Sequence, residues 1–191
     1  MKNYSKKSST FYQLKGYAGL THMAKHIVKY YPKNINIYVE PFAGLGRTRG
    51  LINPTVSYLN DLSCYSITFL KEKFPHDYIY MLDFRLFIPQ FKHNKEVFMF
   101  IDFPWRKNIY QNNTKPVCTN TPIEYTEIMF SYLRNCDHDW MMAIDKDEHE
   151  IGKRFSKSEF PNLVLEHETV KLFNRPIGVR LISNKEFKIQ E

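Results

Sequence analysis

No apolar run in these 191 residues approaches the ~20 that a membrane-spanning helix requires. The opening segment carries Lys2, Lys6 and Lys7, but no apolar stretch of secretory type follows, so the expected location is the cytoplasm. Cysteine is scarce. Cys64, Cys118 and Cys136 lie far apart, are odd in number and show no Cys-x-x-Cys or paired-histidine spacing, so free thiols and no metal site are expected. There is no Gly-x4-Gly-Lys-Ser/Thr, which excludes the usual phosphate-binding loop. Internal repeats, low-complexity tracts and linkers are missing too. One domain is therefore expected over 1–191, with a basic N-terminal tail at 1–10.

What is present is an aromatic-rich globular composition, 43% hydrophobic and 16% aromatic, with a net charge of +7. That balance favours a polyanionic partner, because cationic side chains release counterions from phosphates. Leu20, Met23, Ala24, Ile27, Val28 and Tyr31 share one face of a helix closing at Tyr31-Pro32. Ile35, Ile37 and Val39 alternate with Asn36 and Tyr38 as a strand, and Gly44-Leu45-Gly46 is expected to turn into a short helix stopped at Asn53-Pro54. Strands follow at 55–59, 78–82, 97–101 and 140–144. Helices are expected around Ile67 to Phe74, towards Phe91, and from Pro122 with a face of Tyr125, Ile128, Met129, Tyr132 and Leu133. Two strands around a turn at Asn174 to Gly178 would close the sheet as an antiparallel hairpin. This alternation predicts an α/β fold, a mostly parallel sheet with helices on both faces.

Ligands in such sheets sit at the carboxyl ends of the strands, where Glu40, Asn60-Asp61, Asp83 and Asp102 are expected to gather. Val39-Glu40-Pro41-Phe42-Ala43-Gly44-Leu45-Gly46 runs from a strand into a glycine turn that allows close approach to a ligand. It lacks the third glycine of the dinucleotide fingerprint. A cofactor carrying an amino acid in place of a pyrophosphate matches better. Asp102-Phe103-Pro104-Trp105 offers a carboxylate, a backbone carbonyl and an indole. Those are the parts needed to accept from a conjugated exocyclic amine and to stack on its ring.

In their order these motifs resemble the Dam-like (D12-class) adenine-N6 DNA methyltransferases: Tyr17-Ala18-Gly19-Leu20-Thr21, Val39 to Gly46, Asn60-Asp61, Asp83-Phe84 and Asp102 to Trp105. The resemblance covers 12–145 and implies a Rossmann-like S-adenosylmethionine-dependent methyltransferase sheet. It gives Tyr17, Ala18, Glu40, Pro41, Phe42, Ala43, Gly44 and Gly46 to the methionine part of the cofactor, Asp61 to the ribose hydroxyls and Asp83 to the cofactor adenine. It gives Asp102, Phe103 and Pro104 to the target amine and Trp105 to the stacked base, which must leave the duplex to be reached. Two positions depart from the family pattern: Gly19-Leu20-Thr21 stands for Gly-Gly-Lys, and Phe103 stands for the first proline, whose fixed φ is lost. Asp83 and Asp102 stand too close in sequence for the usual target recognition domain, which leaves room for a protein partner to supply recognition. The implied activity is methylation of adenine N6 in DNA. A subunit degraded at Thr21 and Phe103 that only binds nucleic acid or a catalytic partner, and an RNA adenine methyltransferase, are the other readings.

Lys2, Lys6, Lys7, Lys15, Arg47, Arg49, Arg106 and Lys107 bracket the motifs and are expected to contribute to a nucleic-acid path, with 106–120 as a lid or DNA-contact loop. His22, Lys25, His26 and Lys29 are expected on the polar side of the first helix, and the acids between Asp145 and Glu150 in a charged loop into a helix start.

Overall fold

The computed structural model describes residues 24–103, 123–145, 165–172 and 175–185. A seven-stranded sheet runs in the order β3-β2-β1-β4-β5-β7-β6. Its strands are β1 (Ile37–Glu40), β2 (Val56–Asn60), β3 (Tyr78–Tyr80), β4 (Val97–Asp102), β5 (Asp139–Asp145), β6 (Leu165–Leu172) and β7 (Arg175–Ser183). β1 to β5 are parallel, with Ile37 opposite Val56 on one side and Val97 on the other. β7 is antiparallel to both β5 and β6. The mostly parallel sheet and its C-terminal antiparallel pair therefore stand as expected.

Four α-helices accompany the strands in the described residues: α1 (Ala24–Ile27), α2 (Cys64–Lys73), α3 (Phe84–Phe87) and α4 (Ile123–Arg134). α1 continues as a 3-10 turn, Val28–Tyr30, and α3 as another, Ile88–Phe91. Helices cover both faces. On one side Phe87, Ile88, Phe91, Met129, Phe130 and Leu133 pack on Val97, Met99 and Ile101; on the other Ile27, Tyr31 and Leu70 pack with Phe98 and Phe100. β4 needs apolar side chains on both faces because both are covered, and its first five residues are all buried. None of the described helices is long and apolar enough to cross a membrane.

Three local expectations are corrected or refined. The short helix expected after Gly46 is one 3-10 turn, Arg49–Leu51, ending before Asn53-Pro54, and Gly44 and Gly46, with positive φ of 50° and 59°, form the turn that precedes it. Tyr38, on the opposite face of β1 from Ile37 and Val39, is 0% exposed, since β1 is an interior strand buried on both faces. On α4 the buried stripe is Thr126, Met129, Phe130 and Leu133, while Ile128 is 41% exposed, so packing rotates the face from the one periodicity suggests. Finally, Pro176 and Gly178 are not turn residues but pair within β7, opposite Lys171 and Thr169 of β6. β5 pairs only from Val179 onward, so the missing N–H of Pro176 breaks no β5 ladder.

Candidate active site

The carboxyl ends of β1, β2, β3 and β4 carry Glu40, Asn60-Asp61, Leu82-Asp83 and Asp102. Asn60 is the clamp among them. It is buried, its side-chain amide donates to the carbonyls of Pro41 (3.0 Å) and Leu82 (2.9 Å), and its Oδ1 accepts from Leu82 N–H (2.9 Å). Its backbone carbonyl accepts from Ala43 N–H at 2.8 Å. One side chain thus ties the exits of three strands. The motif pairing with Asp61 drew attention to it, but its structural part could not be read from the sequence.

Asp61 holds the glycine turn. Oδ2 accepts from Gly44 N–H and Oδ1 from Ser63 N–H, each at 2.8 Å. Burial raises its carboxyl above the ordinary range, and these two N–H bonds oppose the rise. Gly46 is fixed by sterics: a Cβ there would lie 2.6 Å from Phe74 Cε2 and 2.8 Å from Leu70 Cδ2, in a φ that already disfavours side chains. The turn therefore packs its Gly46 side on α2 and leaves Gly44 half-buried.

Behind the turn, Glu40 is 3% exposed. Thr48 Oγ1 donates to its Oε1 at 2.7 Å and Tyr38 OH contacts its Oε2 at 3.0 Å. Burial pushes Glu40 up to about 8 against the pull of those two hydroxyls, and the nearby charges of Asp102 and Asp61 push it up as well. Asp102 and Asp61 are thus brought near Glu40. Asp83 differs. It caps α3 by accepting from Arg85 N–H at 2.9 Å, and the Arg85 guanidinium grips both its oxygens at 2.9 and 2.7 Å, which holds its carboxyl below the usual range. Arg85 also lies over the Tyr125 ring at 4.4 Å.

Asp102 ends the central strand half-buried, opposite Ala143 of β5. Phe103 is 2% exposed and sits edge-on to Phe42 at 5.0 Å and to Phe84 at 5.7 Å. Those rings come from the glycine turn and from α3. Where the family pattern has a proline that fixes the backbone, this chain buries a side chain among three elements. Tyr17, Ala18, Pro104, Trp105, the 106–120 loop and the acids after Asp145 lie outside the described residues, as do Lys2, Lys6, Lys7, Lys15, Arg106 and Lys107. Of the expected nucleic-acid contacts, Arg47 is exposed, but Arg49 is turned inward to Asp77 by bonds of 2.8 and 3.0 Å. It braces the turn and is no surface cation.

A model of the D12 class N6 adenine-specific DNA methyltransferase family matches residues 19–187. The chain belongs to that family. D12 methyltransferases draw the transferred group from S-adenosylmethionine, and the strand-end acceptor fits it: Asp61 keeps lone pairs beyond its two N–H bonds, and exposed Leu62 adjoins it. No curated protein matches the chain in sequence. Among solved structures, SMU.1697c of Streptococcus mutans, described as a methyltransferase and solved in complex with SAH, is similar at TM-score 0.57 and 13% identity. The match covers 85% of this chain and 96% of that one. An rRNA methylase of Streptococcus thermophilus is similar at 0.51 and 7%, over 87% and 95%. A spermidine synthase of Thermotoga maritima is similar at 0.53 and 12%, over 87% and 59%. Likeness at these identities shows the fold that the D12 chain shares, and the reaction comes from the family.

Proposed function

We propose that this D12 methyltransferase methylates the N6 amine of adenine in DNA, with the base extruded into a pocket at the carboxyl end of β4. The observation that carries the reading is Asp102, at the end of the central strand β4, whose charge acts on Glu40 at the exit of the neighbouring β1. S-adenosylmethionine, when bound, supplies an electrophilic methyl group. Asp102 accepts a hydrogen bond from the target amine and aligns its lone pair, and the Phe103 carbonyl is the second acceptor. Pro104 and Trp105 complete the pocket, the indole stacking on the base. Tyr17, Ala18 and the turn from Glu40 to Gly46 hold the methionine part, Asp61 the ribose hydroxyls, and Asp83, beside its Arg85 partner, the cofactor adenine. The reading takes 1–191 as one methyltransferase domain without a separate recognition domain, target choice falling to a protein partner.

The experiment is transfer of labelled methyl from S-adenosylmethionine to DNA and RNA oligonucleotides, with the labelled base identified. Label in adenine of DNA is expected, and Asp102→Ala should lower kcat by on the order of 10²–10⁴. Label confined to cytosine refutes the base assignment, and label confined to RNA refutes the substrate. Absence of S-adenosylmethionine binding by the folded protein leaves a subunit without catalysis.

A further inference from the structure

Three polar side chains behind the glycine turn form a closed triangle. Thr48 Oγ1 lies 2.7 Å from Glu40 Oε1, Tyr38 OH lies 3.0 Å from Glu40 Oε2, and Tyr38 OH lies 3.1 Å from Thr48 Oγ1. All three residues are buried, with 3%, 0% and 3% of their surface exposed for Glu40, Tyr38 and Thr48. A hydrogen bond needs one proton, carried by one of the two atoms it joins. Three contacts among three groups need three protons from those groups. Tyr38 and Thr48 carry one each. An ionised carboxylate brings none and leaves one of the three contacts without a proton. A neutral carboxyl completes a directed ring: Glu40 donates to Tyr38, Tyr38 to Thr48, and Thr48 to Glu40. The Tyr31 hydroxyl lies near this cluster but cannot place its proton between any two of the other three.

The ring also has a position. Glu40 is the last residue of β1 and Thr48 the residue before the 3-10 turn Arg49–Leu51, so it closes the excursion that carries Gly44 and Gly46. Within that excursion Gly46 N–H donates to the Ala43 carbonyl at 2.7 Å and Gly50 N–H to the Gly46 carbonyl at 3.0 Å. We propose that Glu40 works as a neutral carboxyl, and that its ring with Tyr38 and Thr48 is the positioning element that sets the Gly44–Gly46 turn against the cofactor. On this view Glu40 acts on the cofactor through the turn and not through a negative charge.

The electrostatic surroundings agree. Asp61 from the β2 exit and Asp102 from the β4 exit both disfavour a charge on Glu40, and burial disfavours it more. Tyr31 and Tyr38 flank it on its own side, with their hydroxyls held far above their ordinary range by burial. The opposing cations are Lys73 of α2, whose ammonium senses Glu40, and Arg47 and Arg49, which sense Lys73. Arg49 is occupied by Asp77. Because the folded protein holds the Glu40 proton more tightly than the unfolded chain does, the stability it contributes is complete below the ordinary carboxylate range. It is lost as pH rises towards about 8.

The test combines three readouts on the full chain. Only the affinity readout rests on the cofactor reading above. First, the side-chain carboxyl resonance of Glu40 in 13C-glutamate-labelled protein, assigned by its loss in Glu40→Gln, should hold the protonated position at pH 7. Second, the wild-type Tm should fall by about 5–10 °C between pH 6 and pH 9 relative to Glu40→Gln, in which the amide keeps all three bonds in the same directions. Third, Thr48→Val and Tyr38→Phe, which each open the ring, should weaken S-adenosylmethionine binding about tenfold, with Glu40→Gln staying within about threefold of wild type. An ionised resonance at pH 7, or parallel Tm curves for wild type and Glu40→Gln, overturns the neutral ring. A Glu40→Gln protein that folds normally but loses affinity more than tenfold shows instead a direct charge contact. If wild type binds no S-adenosylmethionine, the cofactor reading fails while the resonance and Tm still decide the ring.

Discussion

The two halves of the active-site edge are held by different forces. At the exits of β1 and β2, Asn60, Asp61 and the Tyr38–Glu40–Thr48 ring make a network of directed polar bonds, most of it buried. At the exit of β4, Phe103 is held by rings from two other elements, Phe42 and Phe84. Polar networks are intolerant of a missing partner and indifferent to small gaps, whereas ring packing is tolerant of chemistry and sensitive to volume. The cofactor side should therefore fail on isosteric polar deletions and the catalytic side on cavities.

The sharpest attack on that contrast is Asn60→Leu, which keeps the branched shape but orphans the carbonyls of Pro41 and Leu82 and the N–H of Leu82. With each orphan costing about 1–3 kcal/mol, denaturant unfolding should show a loss of at least 3 kcal/mol. A loss under 1 kcal/mol would break the comparison. Phe103→Ala should cost about 3–5 kcal/mol by leaving a cavity between Phe42 and Phe84, while Phe103→Met should cost under about 1.5 kcal/mol by the same measurement. Equal costs for the two would show that ring volume is not what holds the β4 exit. The smallest effect is at Asp83. Arg85→Gln should let the Asp83 carboxyl titrate nearer its ordinary range in an NMR titration, with Tm unchanged within about 2 °C, because the pair is solvent-exposed.

The sequence patterns that survive best are those produced by burial on both faces. Val97 to Ile101 are uniformly apolar because they lie between two helical layers, and this run locates the sheet centre without ambiguity. The strand-end acids are legible for a topological reason, since parallel strands deliver their carboxyl ends to one edge. The part played by Tyr38 is not legible, because alternation reveals only that it lies on the face opposite Val39, whereas its hydroxyl finds buried partners. Thr48 gives no signal at all: its partner is Glu40, and only the fold brings the two together. The helix expected after Gly46 shrinks to the 3-10 turn Arg49–Leu51, since the chain first turns through two glycines with left-handed backbone angles. Phe103 looked like a lost proline; only its neighbours in space reveal that burial replaces ring closure as the restraint.

The pairing of β1 with β4 brings Ile37 beside Val97 at the middle of the sheet. Everything between them, including β2, β3 and their crossovers, must be looped out before that contact can form, and closing so long a loop is an entropic cost met early in folding. During synthesis the residues around Glu40 emerge well before their central neighbour exists. The glycine turn and Asp102 therefore acquire their relation only once β4 joins β1, so a nascent chain truncated before Val97 lacks the strand that brings them together.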